Sequence, residues 1–141
     1  MMRRSILALL CCGAPLVTAA GASASQGSVG TPEQIAWVRS ASTRFVTAEL
    51  TGDGAAACTI LNSPMRATIR HRSCEQRWNA KLSRMLHTPG VRAQLRAERR
   101  AIAAARVVVS GDQASINLPA PLIAGAPNHL KWTENCWMVE G

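Results

Sequence analysis

Val107-Val108-Val109-Ser110-Gly111-Asp112-Gln113-Ala114-Ser115-Ile116 is the stretch that decides the fold. Up to Ala101 apolar residues recur every three or four positions. From there the period shortens, and Ile102 to Val109 is β-branched and alternating enough to predict a strand. Ser110-Gly111-Asp112 is a tight-turn signal, and Ala114, Ile116 and Leu118 alternate with polar residues as the return strand of a hairpin. Pro119, Pro121, Gly125 and Pro127 then mark an irregular connection. Leu130 and Trp132 alternate in a third strand, Glu134-Asn135 turns the chain, and Cys136 to Val139 forms a last one.

Upstream of this hairpin every signal is helical. Thr31-Pro32-Glu33-Gln34 places a capping hydroxyl, a proline at the first helical position and the glutamine of a capping box. Val38, Ala41, Phe45 and Ala48 follow as one stripe, broadened by Ile35 and Trp37, and Gly52 ends the helix. Asp53 is the expected N-cap of a short helix from Ala55 to Leu61. Ser63-Pro64 predicts another through His71. Ser73 opens a fourth, in which Cys74, Trp78, Leu82 and Leu86 step by four. Thr88-Pro89 restarts the pattern through Arg100, in a segment whose charge places it at the surface. Helices first and a meander of strands afterwards is an α+β order, with N-terminal helices packed on an antiparallel sheet.

The chain begins with a different kind of signal. Met1-Met2-Arg3-Arg4 is a positive n-region, Ile6 to Val17 an apolar stretch, and Ala22-Ser23-Ala24 a small-x-small cleavage motif. Residues 1–24 therefore read as a cleaved signal peptide, with processing after Ala24. The apolar stretch is too short to span a hydrocarbon core of ~30 Å. Lipidation at Cys11 or Cys12 lacks the small residue that should precede the modified cysteine. Residues 25–30 read as a flexible leader and 31–141 as a single domain, secreted into the bacterial envelope or the medium.

The 141 residues carry a formal charge of +8, and the positive charge is concentrated. Ten arginines and one lysine lie between Arg66 and Arg106, opposed only by Glu75 and Glu98. Arg92, Arg96, Arg99 and Arg100 are the candidate anion-binding residues within this run. Export makes an anionic envelope polymer or surface the expected partner, with nucleic acid the poorest match. A solvated arginine-rich helical face is the simpler account of the same residues. Cleavage leaves Cys58, Cys74 and Cys136. In an oxidising compartment Cys58 and Cys74, close across a short loop, are the preferred disulfide. That leaves Cys136 as a buried free thiol or an intermolecular link.

Several local motifs converge on one family. Phe45-Val46-x-Ala48-x-x-x-Gly52-Asp53-x-Ala55-x-Ala57-Cys58, Cys74 after a short helix, Val107 to Ile116 with its Gly111-Asp112 turn, and Glu134-x-x-Trp137-x-Val139 carry the likeness. With them the chain resembles small exported bacterial proteins of the nuclear transport factor 2-like, SnoaL-like superfamily. The resemblance implies a curved antiparallel sheet wrapped around helices as a cone-shaped roll, a bonded cysteine pair at Cys58 and Cys74, and a capacity to form homodimers. The sequence departs from the pattern at Asn135-Cys136, where a glycine turn is usual.

Catalytic members of that superfamily use an aspartate base, a tyrosine donor, or histidine with aspartate. This chain has no tyrosine, and Asp53 and Asp112 have cap and turn roles. Glu33, Glu49, Glu75 and Glu98 are expected as solvated residues on helices. His71 and His87 sit at helix ends, where positive side chains complement the dipole. No metal-ligand spacing, nucleophile elbow or phosphate loop is present, and no cofactor is expected. The sequence thus points to a non-enzymatic binding domain, with a ligand-free accessory domain of the cell envelope as the alternative and a cryptic SnoaL-like enzyme behind both. Trp78, Trp132 and His129 are the candidate lining of a pocket for a small apolar ligand between helices and sheet.

Overall fold

A computed structural model of the chain describes residues 27–61, 73–118, 128–133 and 135–140. The leader with its cleavage point after Ala24, the helix expected from Ser63-Pro64, His71 and the Pro119–Pro127 connection all lie outside them. Among the described residues, four helices and four strands follow in chain order. They are α1 (Pro32–Thr51), α2 (Gly54–Ile60), α3 (Cys74–Leu86), α4 (Val91–Ile102), β1 (Val107–Ser110), β2 (Gln113–Ile116), β3 (His129–Thr133) and β4 (Cys136–Glu140). The strands form one antiparallel sheet in the order β1-β2-β3-β4. The fold is α+β.

The caps form as their sequences dictate. Thr31 Oγ1 accepts from the Gln34 amide at 3.2 Å while Gln34 Oε1 accepts from the Thr31 amide at 2.9 Å. Ser73 and Gln76 repeat the box at the start of α3. Asp53 Oδ1 takes the Ala56 amide of α2. Gly52 closes α1 in the left-handed conformation, φ 74°, which a residue without Cβ adopts at little cost. Asn135 does the same between β3 and β4 with φ 63°. Asparagine is among the side chains that best tolerate this region, so the turn forms without the usual glycine.

Two boundaries differ from expectation. Helix α4 begins at Val91 after an N-cap glycine with no side-chain cap bond, so Thr88-Pro89 belongs to the turn before it. The first strand begins at Val107 rather than Ile102. Ala101 to Ala105 supplies four alanines, strong helix formers, around Ile102. Ile102 ends the buried stripe of α4, and the Ala105 carbonyl accepts from the Arg39 guanidinium at 3.0 Å.

The core lies where α1 crosses the sheet. Val38, Phe45, Val46, Leu61, Leu82, Leu95, Ile102, Val107, Leu130 and Val139 are almost fully enclosed. Burying such side chains is worth about 1.5–3 kcal/mol each, which makes this cluster the main stabilising element. Gly27 to Gly30 do not hang free as a leader. Val29 bridges Val108 in parallel, with amide bonds of 2.8 Å in both directions, and the Arg106 guanidinium donates to the Gly27 carbonyl. A β-branched residue with an open edge beside it pairs readily.

Cys58 and Cys74 are bonded to each other. Cys136 is buried and also disulfide-bonded. The buried free thiol therefore does not describe it.

Candidate functional site

Helix α4 sorts its residues sharply between two sides. Val91, Leu95, Glu98 and Ile102 are buried, whereas Arg92, Arg96, Arg99 and Arg100 are all exposed. At 3.6 residues per turn the four arginines fall on one flank of the helix rather than around it. Arg92 leans on the end of α1, donating to the Leu50 carbonyl at 3.2 Å. Among the described residues none of the four forms an ion pair with an acid. The neighbouring helix adds Arg77, Lys81 and Arg84, likewise exposed, against the single exposed acid Glu75. Lys81 packs its ammonium over the Trp78 ring at 4.6 Å. Each exposed guanidinium group is able to fork onto an oxyanion.

The expected pocket residues are distributed differently. Trp78 is buried between α3 and α1, edge-on to Phe45 at 5.5 Å. Trp132 on β3 is half-buried, stacked on Trp37 at 5.7 Å and edge-on to Trp137 at 5.5 Å. His129 is exposed at the start of β3, opposite Glu140. Among the described residues Trp78 and Trp132 share no ring contact. Trp37, expected in the apolar stripe of α1, is 42% exposed and serves as the outer face of the Trp132 stack. The Nε1 of Trp137, enclosed beneath it, has no hydrogen-bond partner.

A groove of about 260 Å³ runs between α1 and α2, lined by Thr43, Arg44, Thr47, Thr51, Asp53 and Thr59 among others. Its hydroxyls are spent locally. Thr47 donates to Thr43, Thr51 to Thr47 and Thr59 to Ala56, each onto a helix carbonyl. What the groove offers outward is therefore mostly methyl surface.

The sequence reading missed one feature outright. Glu49 and Glu98, expected in solvent, are 1% and 5% exposed. Burial first, then the Glu98 charge, raise Glu49 to about 8, against a smaller opposing pull from Lys81. The signal was in the pattern. Glu49 lies four residues after Phe45 and three after Val46, and Glu98 three after Leu95 and four before Ile102. Both acids thus stand on apolar stripes. Glu33, Glu75, Asp53 and Asp112 are exposed as expected, and His87 caps α3 through Nδ1 to the Ser83 carbonyl.

Among the described residues no group of three or more histidine, cysteine or acidic side chains could hold a metal ion. In that set no helix is long and apolar enough to cross a membrane. No family model matches the chain, and neither a curated protein nor a solved structure matches it.

Proposed function

We propose that this chain is an exported binding domain that docks on an anionic polymer of the cell envelope through the arginine flank of α4. One observation carries the proposal. Arg92, Arg96, Arg99 and Arg100 share one exposed flank with no described acid to neutralise them, and α3 carries three more exposed cations. A helix that needed charge only for solubility has no reason to gather it on one side and leave the opposite flank to Ala97 and Gln94. Gathered cations raise the local potential and concentrate polyanions from solution.

The Cys58–Cys74 bond supports an oxidising compartment, and the sequence of the leader supports export. The order of helices before an antiparallel sheet supports the nuclear transport factor 2-like cone as the architecture on which this flank is displayed. In that reading the flank is an outer surface and the space between helices and sheet is independent of it.

Heparin, a soluble polyanion, tests the docking. With Arg96, Arg99 and Arg100 replaced together by Gln, elution from a heparin column is expected at clearly lower salt. The slope of log affinity on log salt should fall by about one unit per lost contact, as counterion release predicts for polyanions. Elution at unchanged salt by a folded variant overturns the proposal.

A further inference from the structure

Strand β1 reads Val107-Val108-Val109-Ser110 and stands at one edge of the four described strands. Its outward groups meet the chain's own N-terminal side. The Val29 amide donates to the Val107 carbonyl, and the Val109 amide to the Val29 carbonyl, both at 2.8 Å. Ser28 Oγ accepts from the Val107 amide at 3.1 Å, and Arg106 Nε donates to the Gly27 carbonyl at 2.7 Å. We propose that residues 27–30 are a guard strap over the β1 edge, and that lifting the strap lets β1 pair with β1 of a second copy of this chain, joining the two sheets edge to edge.

An uncovered edge is a template for another strand, and folded proteins blunt it with lysine, proline or a bulge. Strand β1 carries none of these. It is three valines and a serine, and its register with β2 runs unbroken from Val107↔Ile116 to Ser110↔Gln113. A β-branched run of this kind suits a strand well. Being uncharged, it meets its own copy across a two-fold axis without repulsion. The edge at β4 is different, because that strand ends in Glu140 and is bridged at Val139 by Leu61. The strap is itself a poor template. It bridges β1 through Val29 alone, and Gly30, with φ 135°, takes the chain away into the N-cap of α1. One paired residue is too short an edge to extend.

Hydrogen bonds rather than buried apolar surface hold the strap. Val29 is 50% exposed, and Gly27 and Gly30 are exposed on either side of it. A segment with so little enclosed surface opens locally while the core stays folded. Its tightest contact is at Gly30, where a Cβ would stand 3.0 Å from Val109 Cγ2 and 3.1 Å from Val109 Cβ. A side chain there would also have to adopt a positive φ that L residues rarely take. Gly30→Ala therefore lifts the strap without touching a core residue. Val29→Pro reaches the same end through a different atom, by deleting the donor to the Val107 carbonyl.

Light scattering on the purified protein over a concentration series tests this. Gly30→Ala is expected to double the mass relative to the wild type at matched concentration, and the doubling should fade on dilution. Val29→Pro should behave alike, and it carries the test should Gly30→Ala misfold. Val107 is enclosed and Val109 packs against the core, so Val108 between them faces the other side of the sheet. Val108→Lys, added to either variant, sets like charges against each other along the new strand pair, and the mass should return to the wild-type value. An unchanged mass in the folded variants overturns the proposal. A rise that Val108→Lys leaves in place overturns it too, because association then runs through another surface.

Discussion

Two joints of the helical layer are closed by opposite means. Between α2 and α3 the closure is covalent and local. Cys58 is bonded to Cys74, sixteen residues away, Gly54 lies against α3, and the Gly54 amide donates to Asn79 Oδ1 at 2.9 Å. Between α1 and α4 the closure is the packing of two buried stripes, which also enclose Glu49 and Glu98, with no covalent bond. The first joint is fixed by a bond between two residues, the second by what its packed stripes enclose, and in it burial raises Glu49 to about 8.

The largest test of that contrast is removal of the bond. Replacing Cys58 and Cys74 together by Ala frees a loop whose closure is worth about 3 kcal/mol in the chain-entropy model. The melting temperature should fall by a similar amount at pH 5 and at pH 9, because no proton is involved. A loss confined to one end of that range would mean that the two joints are coupled, and the contrast would break.

Next in size is Gly54→Ala. A Cβ on Gly54 would stand 2.5 Å from Asn79 Oδ1, 2.7 Å from the Asn79 nitrogen and 2.8 Å from the Glu75 oxygen. Two of these are backbone atoms of α3 and cannot step aside alone. Overpacking of this kind typically costs about 1–3 kcal/mol. Chemical denaturation should show the loss with the disulfide intact. A variant as stable as the wild type would show that α3 can slide on α2, and that the bond alone defines the joint.

The two joints also differ in how legible they were. Cys58, Cys74, Asp53 and the box at Ser73 act over short separations, and their residue types leave few alternatives. The alternation around Ser110-Gly111-Asp112 likewise produced the β1–β2 hairpin. Glu49 and Glu98 are forty-nine positions apart, and residue type argued for solvent. Only their places on the Phe45–Val46 and Leu95–Ile102 stripes argued otherwise, and helix packing decided between the two signals. The arginine flank was legible as composition, but its one-sidedness needed the start of α4 at Val91. Trp78, Trp132 and His129 were each read from an element's apolar or terminal position, which says nothing of which elements meet.

The smallest effect isolates local from tertiary support within the covalent joint. Ser73 Oγ accepts from the Gln76 amide at 3.2 Å and the Gln76 side chain returns to the Ser73 amide at 3.3 Å, one residue before Cys74. Ser73→Ala removes a partner from a helix-terminal amide, which typically costs about 1 kcal/mol. With the disulfide in place, Cys74 is held to α2 whether or not the first turn of α3 is capped. In the Cys58→Ala/Cys74→Ala background the cap and the Gly54–Asn79 contact hold the joint by themselves, so the same change should cost more. A double-mutant cycle by urea unfolding reads the difference directly. An equal cost in both backgrounds would mean that the cap stabilises α3 alone and that the joint rests on the bond and the Gly54 contact.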